Sequence, residues 1–344
     1  MNEKAGLYFH IPFCLNKCPY CDFYSKKYCE SEAQEYVKKL NGEIKKYTGE
    51  FDTVYFGGGT PSVIKPELIG SILDNAAKQY NIDKNSEITI ECNPREDLGE
   101  KLKKYSKYGI NRISLGMQSA VDRERFALGR AAGRDDVEKA INGARNAGIE
   151  NISLDLMLGI PKQTLSSLDE SLDFIDKMKV QHVSAYMLII EEGTKFAKMQ
   201  DRLDLPDEDT VAEMYLKTVN ALCEIGLKQY EISNFAKTGF ESRHNLKYWK
   251  LVPYLGIGKS AHSFYNGKRF YYDSDFNLVP DGEGGGREEK IMLGLRLNEG
   301  IDKSLIIKPY RELIEKGLLT EKNNRIALTS EGMLISNTII NRLT

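Results

Sequence analysis

Three cysteines near the N-terminus are the residues of this chain that are best suited to chemistry. Cys14, Cys18 and Cys21 have the spacing C-x3-C-x2-C and follow a short apolar run. A cubane iron–sulfur cluster that only transfers electrons normally has four thiolate ligands. Three thiolates on one loop leave one iron open, much as a catalytic zinc site keeps an open position. The spacing therefore predicts a [4Fe-4S] cluster with these three cysteines as its metal ligands.

A zinc site is the alternative for the same cysteines, with Cys29 or His10 as the fourth ligand. The aromatic Tyr20 directly before the third cysteine, and the position of the loop after a predicted strand, favour the cluster. S-adenosylmethionine (SAM) can chelate the open iron through its amino and carboxylate groups. An electron from the cluster can then break a C–S bond of SAM to give a 5′-deoxyadenosyl radical. Cys29, Cys92 and Cys223 are scattered, and we expect them to be structural.

A glycine-rich turn and several polar residues follow the next predicted strands. Gly57-Gly58-Gly59-Thr60-Pro61 ends the second strand, where glycines would let a ligand approach the backbone, although a tight turn is the alternative. Glu91, Gln118 and Asp155 lie at or just beyond the ends of the next three strands, where they could bind the ribose and the methionine part of SAM. Arg130 could pair with the SAM carboxylate. Each of these residues alone could equally be an ordinary surface or capping residue.

Six short apolar strands alternate with amphipathic helices, which predicts an α/β fold with a parallel sheet. Six units are too few for an eightfold barrel. We therefore expect a partial, open barrel or a doubly wound sheet, with the site at the C-terminal ends of the strands. The predicted strands are Gly6–Ile11, Thr53–Phe56, Glu87–Cys92, Arg112–Gly116, Ile152–Met157 and His182–Leu188.

The pattern changes after residue 236, which predicts a core domain over residues 1–236 and a smaller domain over residues 237–344. Residues 264–290 are polar, aromatic and Gly-rich, and they predict a mobile loop or linker. The order helix, hairpin, helix over residues 304–342 resembles a small winged-helix module of α+β type. Because this module has no basic face, we expect it to serve packing or interaction rather than DNA binding.

The composition argues against a protein that binds nucleic acid, spans a membrane or is exported. The chain has 344 residues, 41% hydrophobic content and a net charge of -2 without a basic stripe, so we expect no nucleic acid partner. No apolar run has the length of a membrane span or of a signal peptide core, which predicts a cytoplasmic protein and leaves peripheral contact with the inner membrane face open. Six cysteines in a reducing compartment indicate a metal site rather than a disulfide framework.

Seven segments together resemble the oxygen-independent coproporphyrinogen III oxidase family (HemN-like) of radical SAM proteins, and most closely its HemW branch. They are Tyr8–Phe23, Gly57–Pro61, Glu91–Pro94, Gly116–Ser119, Leu128–Arg130, Asp155–Pro161 and Tyr254–Phe264. The resemblance extends from about Leu7 to the C-terminus. It implies a partial (β/α)6 radical-SAM barrel with a separate C-terminal domain, and a [4Fe-4S] cluster and SAM as cofactors. The SAM contacts that it implies are Tyr8, Gly58, Gly59, Thr60, Glu91, Gln118, Arg130 and Asp155.

Two features favour HemW over the oxidase. The oxidase has a further cysteine two positions after the third cluster ligand, where this chain has Phe23, and residues 244–249 match the H-N-x-x-Y-W motif of HemW. The resemblance implies a haem chaperone that binds haem and passes it to acceptor proteins, membrane-associated ones included; it leaves a homodimer open. The second hypothesis is a SAM-dependent coproporphyrinogen III dehydrogenase or a related tetrapyrrole enzyme. The third is an interaction protein without chemistry.

The H-N-x-x-Y-W segment contains the predicted haem contacts. The His244 imidazole could bind the haem iron, and Trp249, the only tryptophan, could cover the apolar macrocycle. The alternative is that both residues pack the two domains together, and His262 is the second choice of iron ligand. The chain departs from the family pattern at Ala132, where a histidine is usual, and in its shorter 264–290 region, which could have lost a lid over the substrate.

Overall fold

The computed structural model of the chain describes residues 3–95 and 97–344. Its strands are β1 (Ala5–Ile11), β2 (Phe13–Cys14), β3 (Lys26–Lys27), β4 (Glu50–Gly58), β5 (Asn81–Cys92), β6 (Arg112–Gln118), β7 (Asn151–Leu158), β8 (His182–Met187), β9 (Lys228–Glu231), β10 (Asn234–Ala236), β11 (Tyr254–Ile257), β12 (His262–Tyr265), β13 (Lys268–Tyr272), β14 (Leu278–Glu283), β15 (Ile301–Asp302), β16 (Leu319–Lys322) and β17 (Arg325–Leu328). Its α-helices are α1 (Glu30–Ile44), α2 (Pro66–Gln79), α3 (Leu98–Lys107), α4 (Asp122–Ala127), α5 (Arg134–Asn146), α6 (Leu165–Met178), α7 (Glu208–Glu224), α8 (Arg243–Trp249), α9 (Arg287–Gly294), α10 (Arg311–Glu315), α11 (Ser330–Leu334) and α12 (Ser336–Leu343).

Six parallel strands form the partial barrel that the sequence predicted. β1, β4, β5, β6, β7 and β8 lie side by side in this order, each parallel to its neighbours. Successive side chains of a strand point to opposite faces. In β1, Leu7, Phe9 and Ile11 are fully buried in the apolar core, whereas Tyr8 stacks on Tyr55 of β4 inside the barrel. The expected (β/α)6 architecture is therefore confirmed.

The sheet continues on both sides of the barrel strands. β11 lies parallel to β1, and β12, β13 and β14 follow it as an antiparallel meander, so that the whole sheet has twelve strands within the described residues. The expectation of a loop over residues 264–290 was wrong. Asn266-Gly267, both with positive φ, form the tight turn between β12 and β13, a pair of residues that is typical of hairpins. The sheet also crosses the expected boundary at residue 236, and the division into two domains stays a prediction.

A small α+β unit ends the chain, as predicted. β15, β17 and β16 form a separate three-stranded sheet, surrounded by the last helices. The β16–β17 hairpin turns at Asn323 and Asn324, which have φ values of 51° and 64°. Two successive residues with positive φ are the requirement of the type I′ turn, which matches the twist of a hairpin. No helix among the described residues has both the length and the apolar character needed to cross a membrane.

Helix α8 closes the N-terminal end of the barrel. The backbone N–H groups of Arg243 and His244 donate to the carboxylate of Glu87 on β5, at 3.1 and 3.0 Å. A carboxylate is favourable there because the first amides of a helix have no partner within the helix. The Lys247 ammonium donates to the carbonyl of Lys4 at 2.7 Å and lies 2.7 Å from the carboxylate of Asp52. These contacts fix α8 below β1, β4 and β5, opposite the end that carries the cysteine loop.

His244 is part of this closure. Its side chain is fully buried, with Nδ1 hydrogen bonded to the Thr53 hydroxyl and Nε2 to the Tyr248 hydroxyl, both at 2.8 Å. Burial lowers the pKa of His244 to about 3, so its imidazole is neutral. The Trp249 ring lies 5.7 Å from the guanidinium of Arg296. Both residues therefore pack parts of the fold together, as the alternative interpretation held. Both ring nitrogens of His244 already have a hydrogen-bond partner. The haem contacts that the sequence predicted for His244 and Trp249 remain predictions.

We expect His244→Ala to lower the free energy of unfolding by about 2–4 kcal/mol, because the substitution leaves a cavity and deprives two hydroxyls of their partner. Urea denaturation followed by circular dichroism measures this change. His262→Ala, at an exposed position, is the matched control and should change the same quantity by less than about 0.5 kcal/mol. A His244→Ala variant as stable as the wild type would show that α8 is not integral to the barrel.

Candidate cofactor site

The loop with the three cysteines crosses the C-terminal end of the barrel. Cys14 ends β2, which pairs with β3 and so fixes both ends of the loop. Between them the backbone turns at Cys18 and Cys21, since the Cys21 N–H donates to the Cys18 carbonyl at 3.2 Å. All three thiols are free and partly exposed. The structure thus presents the predicted cluster ligands on one short, accessible loop.

The other cysteines lie elsewhere. Cys29 is exposed before α1 and Cys223 is exposed on α7, while Cys92 is buried in the core. In residues 3–95 and 97–344, no three His, Cys, Asp or Glu side chains are close enough together to hold one metal ion. In a cubane cluster each thiolate binds a different iron, so the ligands of a cluster do not have to converge on one point. The cysteine loop is compatible with such a group.

The glycine turn after β4 lies directly against the cysteine loop. The Gly59 N–H donates to the Ile11 carbonyl at 3.0 Å and the Thr60 N–H to the Phe13 carbonyl at 2.8 Å. A Cβ on Gly59 would lie 2.8 Å from the Phe13 carbonyl oxygen and 3.1 Å from the Cys14 sulfur, and a Cβ on Gly58, whose φ is 112°, would lie 2.6 Å from the His10 ring. Side chains at either position would therefore push the loop away. These contacts explain the glycines without a ligand, and they also place bare backbone beside the cysteines.

Two carboxylates lie inside the barrel beneath this turn, on the two strands that flank β6. Glu91 accepts hydrogen bonds from the Tyr55 hydroxyl at 2.9 Å and the Gly58 N–H at 3.2 Å. Asp155 accepts one from the Ser114 hydroxyl at 2.9 Å. Burial raises the pKa of Glu91 to about 7, with repulsion from Asp155 as the next cause, and burial raises that of Asp155 to about 6. Such a pair favours a cationic ligand group, which would restore both carboxylates to their ionised form.

Arg130 and Gln118 form a second polar group at the same end of the barrel. The Arg130 guanidinium donates to the Asn93 side-chain oxygen at 2.6 Å and to the Tyr20 hydroxyl at 2.8 Å. Within the described part of the chain, the Arg130 Nε and the Gln118 Oε1 are buried without a hydrogen-bond partner. Buried polar atoms are normally paired, so these two suit a ligand that supplies the missing partners. The residues present therefore fit a ligand with carboxylate, amino and hydroxyl groups, as SAM has.

Several residues of this site had no predicted role. Tyr55, Ser114 and Asn93 hold Glu91, Asp155 and Arg130 in place. Arg112 of β6 is only 1% exposed, and its charge lowers the pKa values of both Glu91 and Asp155 against the effect of burial. Tyr8, a predicted SAM contact, uses its hydroxyl for a 3.1 Å hydrogen bond with His10. The only signal for these residues was the alternation of side chains along strands whose partners were unknown.

The raised pKa of Glu91 makes the stability of the cofactor-free protein depend on pH. Because the pKa of Glu91 in the folded protein, about 7, exceeds its ordinary value of 4.5, ionising Glu91 destabilises the fold, and this cost develops as the pH rises from about 4.5 through 7. Glu91→Gln removes the cost of ionising this side chain. We therefore expect the difference in unfolding free energy between the variant and the wild type to be more favourable to the variant at pH 8 than at pH 5, by at most roughly 3 kcal/mol. Urea unfolding at both pH values measures the difference. Glu35→Gln, at an exposed position, is the control, and an equal effect of Glu91→Gln at pH 5 and pH 8 would contradict the assignment.

Comparison with known proteins agrees with the fold. Residues 8–175 match the Radical SAM superfamily and residues 287–335 the HemN C-terminal domain. The heme chaperone HemW of Bacillus subtilis (strain 168) is 34% identical, over 96% of this chain and 97% of that protein. HemW of Lactococcus lactis is 32% identical, over 99% and 98%. The structure of coproporphyrinogen III oxidase (HemN) from Escherichia coli has the same fold, with a TM-score of 0.83, 21% identity and coverage of 99% and 90%. The chain belongs to the HemW family of radical SAM proteins.

Proposed function

We propose that this protein is a haem chaperone that holds a [4Fe-4S] cluster through Cys14, Cys18 and Cys21 and binds SAM at the open iron. The observation that carries the cofactor part is the position of Glu91. Its carboxylate is held by the Gly58 amide, and the neighbouring Gly59 lies against the loop of Cys14. A cationic ligand bound to Glu91 would therefore lie close to the cluster ligands.

Each polar group would then have a part of SAM to bind. Glu91 and Asp155 would bind the positively charged amino group and a ribose hydroxyl, and Arg130 would pair with the SAM carboxylate through its free Nε. Gln118 would use its free Oε1 as an acceptor for a hydroxyl or amino group. When bound, the cluster and SAM would supply one-electron chemistry. The role of the protein itself is to bind, orient and enclose them at the ends of β4 to β7.

The haem part of the proposal is supported by the relatives and by two sequence features. The relatives from Bacillus subtilis and Lactococcus lactis are named heme chaperones, and they match nearly the whole chain. This chain also has the H-N-x-x-Y-W segment and has Phe23 in place of a fourth nearby cysteine. We propose that haem is its cargo, and that it passes haem to acceptor proteins in the cytoplasm or at the inner membrane face.

A SAM-dependent coproporphyrinogen III dehydrogenase is the competing function. The shared fold with the Escherichia coli oxidase shows architecture only, at 21% identity. Phe23 stands where the oxidase family has its additional cysteine, and its side chain is 70% exposed. An exposed phenyl ring in place of a thiol removes a reactive group from the edge of the cluster loop. This difference favours the chaperone over the enzyme.

The cluster proposal predicts which cysteines are needed for iron. Anaerobically reconstituted protein should bind about four irons per chain, because three thiolates hold a cubane cluster. Cys14→Ala, Cys18→Ala and Cys21→Ala should each abolish the cluster, as measured by iron and sulfide analysis and by electron paramagnetic resonance. Cys29→Ala, Cys92→Ala and Cys223→Ala are the matched controls and should keep it. Loss of the cluster in the Cys29→Ala variant would overturn the ligand assignment.

The chaperone proposal predicts the absence of oxidase activity. With SAM and a reductant, the reconstituted protein should form no protoporphyrinogen IX from coproporphyrinogen III. Chromatography of the oxidised porphyrins measures the product, and the Escherichia coli oxidase is the positive control. Decarboxylation coupled to SAM cleavage would show that the protein is an enzyme.

A further inference from the structure

The four histidines of the chain differ in whether a ring nitrogen is available to a metal. Three are buried with both nitrogens engaged. His10 bonds with the Tyr8 hydroxyl and the Tyr24 carbonyl, His182 with the hydroxyls of Ser153 and Tyr230, and His244 with those of Thr53 and Tyr248. His262 is exposed, and among the described residues neither of its ring nitrogens has a hydrogen-bond partner. Of the four histidines, His262 is thus the one that can bind a metal without breaking an existing hydrogen bond.

The strand register places His262 on the inner face of the sheet. Tyr8, which points into the barrel, lies opposite Gly256 of β11, and Tyr254 of β11 lies opposite Phe264 of β12. Residues that lie opposite each other in a sheet share a face, and so do residues two apart in one strand. His262, two residues before Phe264, is therefore on the same face as Tyr8, beside the open edge of the barrel.

His262 is also at the end of the barrel that carries the cysteine loop. Gly258, which follows β11 and precedes His262 by four residues, packs against His10, because a Cβ on Gly258 would lie 2.8 Å from the His10 carbonyl oxygen and 3.2 Å from the His10 Cβ. His10 in turn lies with its ring centroid 6.4 Å from that of Tyr24, the residue after Phe23. The turn before His262 and the residue after the exposed Phe23 therefore both lie beside His10.

The aromatic ring of Tyr271 and a hydrogen-bonded turn hold the His262 imidazole in place. The His262 ring stacks on Tyr271, its cross-strand partner, with centroids 5.0 Å apart and planes at 21°. The preceding turn is held by hydrogen bonds from the Ser260 N–H to the Tyr272 carbonyl at 2.8 Å and from the Tyr272 N–H to the Ala261 carbonyl at 3.0 Å. Little conformational freedom of the backbone is left to lose when a ligand binds.

Gly256 lets the backbone of β11 pack closely against that of β12 beside His262. Gly256 lies next to His262, and a Cβ there would come within 2.2 Å of the His262 carbonyl oxygen. The inner face beside His262 is therefore bare backbone on one side and the Tyr271 ring on the other. Haem needs an apolar surface and an iron ligand with a free nitrogen, and here the Tyr271 ring and the His262 imidazole offer them.

We propose that haem binds on this inner face at the mouth of the barrel, with the His262 imidazole as an axial ligand of the iron and Tyr271 and Phe23 against the macrocycle. This inference rests on the proposed haem-binding function. It differs from the sequence-based expectation because His244 lies at the opposite, closed end of the barrel. It also places the haem at the end of the barrel that carries the cysteine loop.

Haemin titration of the reconstituted protein, followed by difference absorbance, tests this site. With the cluster in place, the thiolates of Cys14, Cys18 and Cys21 are occupied and do not compete for the haem iron. We expect His262→Ala to weaken haem binding at least tenfold and to shift the Soret band, and free imidazole to restore the wild-type spectrum. A purely structural role of His262 would not respond to imidazole.

Two further variants separate the possible outcomes. Trp249→Phe, in the segment first predicted to contact haem, should bind haem as the wild type does, and Phe23→Ser should weaken binding without changing the axial ligand. Unchanged affinity and spectrum in His262→Ala would overturn this site and leave haem binding to another group. Absence of haem binding by the wild type would overturn the proposed function and this site together.

Discussion

The structure depends on keeping two carboxylates inside a barrel. Glu91 and Asp155 lie close enough together to repel each other, and burial opposes the ionisation of both. Three features make this arrangement tolerable. Hydrogen bonds from Tyr55, Gly58 and Ser114 satisfy the carboxylate oxygens. The buried Arg112 supplies a positive charge nearby. Helix α8 closes the N-terminal end of the barrel with its own polar partners. A site with this charge is unfavourable when empty and therefore well suited to a cationic ligand.

The barrel could be predicted because its strands are short apolar runs and its helices are strongly amphipathic. The cluster loop and the glycine turn were recognisable from local sequence, since the chemistry needs these residue types at close spacing. Glu91, Gln118, Arg130 and Asp155 were recognisable only as polar residues near strand ends. Whether Tyr55 or Ser114 supports them depends on which strands are neighbours, and this information is non-local.

Two elements show why the rest was missed. The meander from β12 to β14 has polar and aromatic strands with glycines at its turns, which favoured a loop, although Asn266-Gly267 was a hairpin signal. Helix α8 has only seven residues, and its stability comes from Glu87 and Asp52, which are far away in sequence. Its histidine could be recognised as part of a motif, but its buried hydrogen bonds with Thr53 and Tyr248 exist only in the folded barrel.

The position of β1 has a consequence for how the chain folds. β1 is an interior strand, with β4 on one side and β11, more than 240 residues later in sequence, on the other. Until residues 254–257 have been synthesised, the strand that leads into the cysteine loop has an unpaired edge. A folding intermediate with an unpaired strand edge is prone to aggregation until that edge is paired. The last strand to join the parallel sheet therefore completes the support of the strand that leads into the cysteine loop.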